Sequence, residues 1–206
     1  MSDPHHGPFA SFRDVARRHR RGERATALVE AALVTPILLM LVFGAIEFGM
    51  AFRSYLTVSN STRDSARFAA TLGREADADY QTVAEAFAGL DGARSGDVRK
   101  IIIFKATGPN STTASGTLAA CRTASVAGLC NTYTGPDVPV DPAQYGCGPT
   151  SVDRFWCPTT RKVAASDPPD YVGVYIEMHY QSLTGFFGLT RDFSDEFIMR
   201  LEPHSA

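Results

Sequence analysis

The feature that most constrains this chain is an uncharged apolar run close to its first residues. Residues 31–46, AALVTPILLMLVFGAI, carry no charge, and Glu30 and Glu47 bound the run on either side. As an α-helix the run would span about 24 Å, slightly less than a bilayer core of about 30 Å. Continuing the helix through the next residues, EFGMAF, makes it long enough. We therefore expect a membrane part over about residues 31–52, in contact with membrane lipid.

The distribution of charge predicts the orientation of this helix. Six arginines and three acidic residues precede Glu30, whereas 11 Lys or Arg and 16 Asp or Glu occur from Arg74 onward. Basic flanks remain on the cytoplasmic side of a membrane. We therefore expect a single-pass protein of the cell membrane with a cytoplasmic N-terminus and an extracytoplasmic C-terminal domain.

Two other interpretations of this region compete with that of a membrane anchor. A basic run can bind nucleic acid, but beside a membrane segment it is better explained by topology, and no nucleic-acid partner is expected. A cleavable secretory signal is the other interpretation. The 30-residue leader is long for a signal, and no small-x-small cleavage site follows the apolar run.

All four cysteines lie on the predicted extracytoplasmic side. Cys121, Cys130, Cys147 and Cys157 are separated by 8, 16 and 9 residues, without a CxxC motif or a histidine at metal-ligand spacing. This pattern argues against zinc and predicts two disulfides in an oxidising compartment. Three pairings are open. We favour the local pairs Cys121–Cys130 and Cys147–Cys157, because each closes a short loop.

The sequence divides into three predicted regions. Residues 1–25 form a basic cytoplasmic leader, expected to be mostly disordered. A single long helix is predicted over residues 26–72, with Thr26 near its start and Gly73 as the first residue that would break it. Pro36 lies inside this helix and should kink it, because proline removes a backbone donor and clashes with the preceding turn.

Residues 73–206 are predicted to form the extracytoplasmic domain. We expect a short helix at 80–90, strands at 98–106, 171–180 and 193–201, and an irregular region at 108–170 held by its disulfides. The third of these ranges, 171–180, alternates clearly, and one face carries Val172, Val174, Ile176, Met178 and Tyr180.

A sheet with one apolar face needs a cover, and the two helices are the available candidates. Apolar and small residues recur at threes and fours in the outer half of the long helix, at Phe52, Tyr55, Leu56, Ser59, Thr62, Ala66, Ala69 and Ala70. The predicted fold class is α+β: a long N-terminal transmembrane pilin-like helix whose outer half packs on a small antiparallel sheet.

Several short motifs recur together over residues 20–72. They are a basic leader, the patch A-x-V-E-x-A-L-V, a proline shortly after it, I-E-x-G, and R-x-x-A-R-x-A-A. This combination resembles the N-terminal signature of the TadE family, the pseudopilins of tight-adherence (Flp-type) pilus assembly. The resemblance implies a subunit that acts in cell adhesion through helix packing. Its implied partners are other pseudopilin or pilin subunits, the assembly platform and a prepilin peptidase.

The resemblance also implies a processing site. In pilins a peptidase removes the leader, and an acidic residue at the fifth mature position pairs with the free amine of a neighbouring subunit. Counting back from Glu30 places the cut between Ala25 and Thr26. The residue before the cut is usually glycine, and Ala25 departs from that pattern. The nearest glycine, Gly22, would leave Glu30 at position eight, so an unprocessed anchor is the alternative.

Three further charged residues have two interpretations each. Glu47 either stays solvated at the outer interface or pairs with a cation on a neighbouring helix or on the platform, which would make it an assembly residue beside Glu30. Arg63 and Arg67, one turn apart, form either a solvated face or a docking contact to a sister subunit.

No catalytic motif is present. The sequence lacks GxSxG, HExxH, a P-loop and GxGxxG, so we expect neither an enzyme nor a cofactor. The alternative to a pilus subunit is a single-pass tethered module whose region 108–170 binds an extracellular ligand. A secreted enzyme released by signal removal is the third and weakest interpretation.

Overall fold

The computed structural model describes residues 12–90, 98–109, 116–134, 141–164, 168–182 and 190–203. Its elements are helix α1 (Phe12–Leu72), helix α2 (Ala78–Gly89), strand β1 (Val98–Ala106), helix α3 (Gly116–Cys121), strand β2 (Cys130–Thr134), strand β3 (Tyr171–Gln181) and strand β4 (Thr190–Arg200). A long N-terminal helix, a small antiparallel sheet and two disulfides confirm the predicted α+β class. The chain divides into two compact units, residues 1–47 and 48–206.

Helix α1 begins earlier than the sequence predicts and ends where it predicts. It starts at Phe12 rather than near Thr26, so the expectation of a mostly disordered leader is wrong from Phe12 onward. Six of the residues from Arg13 to Arg24 are arginines, and arginine has a high helix propensity. The helix ends at Leu72, and Gly73 follows with φ +56°, a conformation that glycine adopts without strain. Residues 1–11 of the predicted leader lie outside the described residues.

The sheet has the strand order β2–β1–β3–β4, and every neighbouring pair is antiparallel. The sequence predicts three of these strands. The fourth, β2, lies inside the range 108–170, which was expected to be irregular, and so does the short helix α3. That expectation is therefore wrong for these two elements. Strand β2 has only five residues, too few for a period to be visible, and its pairing with β1 places Asn131 opposite Ile103.

One face of the sheet is covered by α2 and by the part of α1 that belongs to the unit 48–206. The five residues predicted to share a face of β3 are all buried, at most 8% exposed. Four of them, Val172, Val174, Ile176 and Met178, pack with side chains of both helices and of β1, including Val58, Ala66, Ala69, Val83, Ala86, Ile101 and Ile103. A fully buried side chain of this kind stabilises the fold by about 1.5–3 kcal/mol.

The two helices approach each other closely through small residues. Ser61 Oγ donates a hydrogen bond of 2.7 Å to the carbonyl of Ala86. A Cβ at Gly89 would lie 2.9 Å from Ser61 Oγ, so no side chain fits there. The predicted stripe on α1 is therefore correct only in its C-terminal half. Its three large members, Phe52, Tyr55 and Leu56, are exposed, whereas its small members from Ser59 onward are buried.

The other face of the sheet carries a smaller apolar cluster. Ile102, Phe104 and Tyr175 pack there against α3 and the Cys121–Cys130 disulfide. The second disulfide joins Cys147 to Cys157. These are the two local pairs favoured from the sequence.

Candidate assembly helix

The N-terminal part of α1 presents an apolar surface. Leu28, Leu33 and Leu41 are each about 70% exposed, and the large apolar residues between them are exposed as well. Within the described residues, one helix, Ala25–Leu72, is long and apolar enough to cross a membrane, and none of its most apolar stretch is buried in the protein. An apolar surface of this extent marks a site of contact with lipid or with another protein.

The two acidic residues that bound the apolar run have different environments. Glu30 is exposed on the apolar surface, whereas Glu47 is buried, with 1% of its surface accessible. The interpretation of Glu47 as a solvated carboxylate is therefore wrong. The two residues lie 17 positions apart, which corresponds to about 26 Å along a helix. Their role in subunit assembly stays a prediction.

The predicted processing site lies within α1. Ala25 and Thr26 are both exposed and helical, and Glu30 follows Thr26 by just over one turn. Pro36 is also inside the helix, as predicted, and the kink expected there stays a prediction.

The two arginines beyond the apolar run are exposed. The guanidinium carbon of Arg63 lies 5.9 Å from the centroid of the Phe197 ring on β4, at the outer limit of a cation–π contact. Arg67 is exposed on the same side of α1. An exposed charge of this kind contributes little to stability, which fits the interpretation of a solvated face.

A second polar feature, which the sequence did not predict, lies inside the domain. Asp79 on α2 and Arg161 form a salt bridge, and both side chains are completely buried. The second carboxylate oxygen, Asp79 Oδ2, accepts hydrogen bonds from Asn131 Nδ2 and from the Tyr133 hydroxyl, each 2.8 Å long. We call Asp79, Asn131, Tyr133, Trp156 and Arg161 the buried polar cluster. It connects α2, β2 and the segment 141–163.

Burial changes the acidity of the tyrosines around this cluster. Desolvation raises the pKa of Tyr133 well above its ordinary value of 10, and the negative charge of Asp79 raises it further. Desolvation also raises the pKa of Tyr145, whose ring stacks on that of Tyr133 with 5.7 Å between centroids. Both hydroxyls therefore stay protonated in the folded protein at pH values at which an unfolded tyrosine ionises.

This difference predicts that alkaline pH destabilises the domain. Below pH 10 both tyrosines are protonated in the folded and in the unfolded chain, and their contribution to the free energy of unfolding does not change with pH. As the pH rises above 10, the free energy of unfolding falls, because the unfolded chain releases protons that the folded chain retains. Each such tyrosine lowers the free energy of unfolding by about 1.4 kcal/mol between pH 9 and 11. In the Tyr133→Phe variant we expect the fall in the free energy of unfolding from pH 9 to pH 11 to be smaller than in the wild type by about 1.4 kcal/mol. Urea unfolding at both pH values measures it, and identical losses in the two proteins would contradict the expectation.

The described residues include no group of three or more His, Cys, Asp or Glu side chains that could hold a metal ion. The candidate site is an apolar helix surface, with the exposed Glu30 at its N-terminal end and the buried Glu47 after its C-terminal end.

Comparison with known proteins assigns the candidate helix. No curated protein and no solved structure matches the chain. A family model described as TadE-like protein matches residues 25–67. The matched range contains the predicted processing site, both acidic residues, Pro36 and both arginines. Residues 25–67 are therefore a TadE-like segment, and the resemblance to the TadE family predicted from the sequence is confirmed.

Proposed function

We propose that this protein is a membrane-anchored pseudopilin or minor pilin that takes part in the assembly of a tight-adherence pilus through helix packing. The observation that carries the proposal is the coincidence of two features. The TadE-like match, residues 25–67, covers the same part of α1 whose apolar side chains are exposed.

The exposed surface of α1 suggests how such a subunit would act. Lipid would cover the apolar side chains before assembly, and α1 helices of other subunits would cover them within a filament. Lipid tails are as apolar as leucine, so replacing lipid contacts by contacts with other α1 helices costs little free energy. The packing of the helices against each other then decides whether the subunit stays in lipid or enters the filament. The basic leader would lie in the cytoplasm and the domain 73–206 outside the membrane.

Glu30 would set the register between neighbouring subunits. A carboxylate in a lipid or helix environment is costly unless it has a cationic partner. Cleavage between Ala25 and Thr26 would create such a partner, the free α-amine of Thr26 on a neighbouring chain.

The Glu30→Gln variant tests this role in the native host. We expect the amount of protein in sheared surface filaments to fall about tenfold or more, because the neutral side chain cannot form the charge pair. The amount in the membrane should stay unchanged. The matched control is Glu85→Gln, the same change at an exposed position on α2, which should leave filaments at the wild-type level. Normal filaments in the Glu30→Gln strain would contradict the register role.

N-terminal sequencing of the protein from sheared filaments tests the processing step. We expect a chain that begins at Thr26. An intact leader on protein that occurs only in the membrane would contradict both processing and filament entry. It would favour the tethered binding module instead.

A further inference from the structure

The segment 141–163 is anchored to the rest of the domain next to each of its two cysteines, Cys147 and Cys157. At one end, the Asp153 carboxylate accepts hydrogen bonds of 3.0 Å from the backbone amides of Gly146 and Cys147. Asp153 is completely buried. At the other end, Cys157 directly follows Trp156, a member of the buried polar cluster. The Cys147–Cys157 bond therefore joins the two points at which this segment is anchored.

Asn131 of β2 connects the segment to the rest of the cluster. Its side-chain oxygen accepts hydrogen bonds from the backbone amides of Phe155 and Trp156, at 3.1 and 3.0 Å. Its side-chain nitrogen donates to the carbonyl of Trp156 at 3.0 Å and to Asp79 at 2.8 Å. A single buried side chain thus depends on the position of the segment for three of its four hydrogen bonds.

The buried charge of Arg161 makes the contacts of the cluster depend on one another. Its guanidinium carbon lies 4.2 Å from the centroid of the Trp156 ring, and it pairs with Asp79. Two of its nitrogens, Nε and Nη1, have no hydrogen-bond partner in the described part of the chain. Its Nη2 also donates a hydrogen bond of 3.3 Å to the carbonyl of Trp156. A buried charge with so few partners is tolerated only while these are in place. Displacing Trp156 would remove the ring that covers this charge and would open the cluster to water.

We propose that the Cys147–Cys157 disulfide and the buried polar cluster form one redox-dependent lock, which completes the folding of the domain 73–206 only after the domain has reached an oxidising compartment. In the reducing cytosol the thiols stay reduced, and the cost of burying the charges of Asp79 and Arg161 disfavours the closed domain. Export of an incompletely folded domain is then possible, and oxidation outside the membrane stabilises the closed fold.

The oxidation step needs a disulfide donor, such as oxidised glutathione. One cysteine thiolate attacks a sulfur of glutathione disulfide and releases a first glutathione thiol. The thiolate of the second cysteine then attacks the protein sulfur of the mixed disulfide, forms the Cys147–Cys157 bond and releases a second glutathione thiol. Two protein thiols are oxidised and one glutathione disulfide is reduced, and the two protons pass to the glutathione thiols.

The test measures the equilibrium constant of each disulfide in glutathione buffers, on the full chain in detergent micelles. Alkylation and peptide mass spectrometry distinguish the two pairs. In a Tyr133→Phe variant, which leaves one oxygen of Asp79 without its hydroxyl donor, we expect the constant for Cys147–Cys157 to fall about fivefold. The constant should fall because forming this bond includes forming the cluster. An unchanged constant would overturn the proposal, since the cluster would then persist in the reduced protein.

The matched control is Tyr175→Phe. Tyr175 donates an equally short hydrogen bond of 2.8 Å to Glu177, but it packs in the apolar cluster on the opposite face of the sheet. We expect this change to leave the Cys147–Cys157 constant within about twofold of the wild type. An equal fall in both variants would overturn the local lock, because it would show that reduction unfolds the whole domain.

A second readout comes from Trp156, the single tryptophan of the chain, which is 4% exposed. In a Cys147→Ala, Cys157→Ala variant its fluorescence should move to longer wavelength, and wild-type fluorescence would contradict the proposal. Neither measurement depends on pili, so failure of the lock and failure of the proposed pilus function can be told apart.

Discussion

Replacing Asp79 by asparagine is expected to lower the free energy of unfolding of the domain by about 3–5 kcal/mol. The side chains of Asp79 and Arg161 are both completely buried, and asparagine has nearly the same shape as aspartate but no charge. The change therefore leaves the Arg161 charge in the interior without a carboxylate, and this is far more costly than losing the pair as a whole. The loss is a large fraction of the 5–15 kcal/mol that stabilises a typical domain.

Urea unfolding followed by Trp156 fluorescence measures this loss, since Trp156 lies within the cluster. The matched control is Asp77→Asn, the same substitution two residues earlier. Asp77 is exposed, and among the described contacts its carboxylate accepts a hydrogen bond only from the half-buried Gln81. We expect the control to cost less than about 1 kcal/mol. A loss below about 1 kcal/mol for Asp79→Asn itself would show that the interior tolerates the uncompensated arginine.

The sequence predicts those parts of the fold that have a strong period. Strand β3 alternates over its whole length, and its predicted inner face is buried as expected. Helix α1 is predicted because no residue before Gly73 breaks its outer half, and it ends at Leu72. A helix that is long and apolar enough to cross a membrane is predicted from composition and length alone, because no tertiary partner has to be known.

Long-range polar contacts leave no such signal in the sequence. Asp79 and Arg161 are 82 residues apart, and each resembles an ordinary surface charge. The only local indication of the buried polar cluster lies in β2, whose sequence is CNTYT. Asn131 and Tyr133 are two residues apart and therefore share one face of the strand, but five residues are too few to distinguish a strand from a loop. The buried polar cluster therefore follows from tertiary structure and not from any local pattern.

In the outer half of α1, the sequence predicts the buried residues only in part. Periodicity placed Phe52, Tyr55 and Leu56 on the same stripe as the small residues after Ser59, but in the structure the large residues are exposed and the small ones are buried. Close packing of α1 on α2 selects small side chains, as the Ser61–Gly89 contact shows. Hydrophobicity alone predicts the wrong end of such a stripe, because the space available between the elements decides which residue is buried.

Replacing Gly173 by alanine is expected to destabilise the domain by about 3 kcal/mol. Gly173 on β3 lies directly opposite Phe104 on β1, and the Phe104 ring occupies the space that a side chain would need. A Cβ at this position would lie 2.2 Å from Phe104 Cζ. The ring is completely buried and cannot rotate into solvent, so the neighbouring strands would have to separate. Urea unfolding followed by Trp156 fluorescence measures the loss.

A double-mutant cycle separates this clash from a loss of backbone freedom. Phe104→Leu alone should cost about 1–2 kcal/mol, because it leaves a small cavity. Combined with Gly173→Ala, the shorter leucine makes room for the new methyl group, and the double variant should be more stable than the sum of the single losses by more than about 1 kcal/mol. The matched control is Gly108→Ala, where a Cβ would meet no atom within 4 Å, and its effect should stay within about 0.5–1 kcal/mol. Additive losses in the cycle would contradict the proposed contact and would mean that Gly173 is required for its backbone conformation instead.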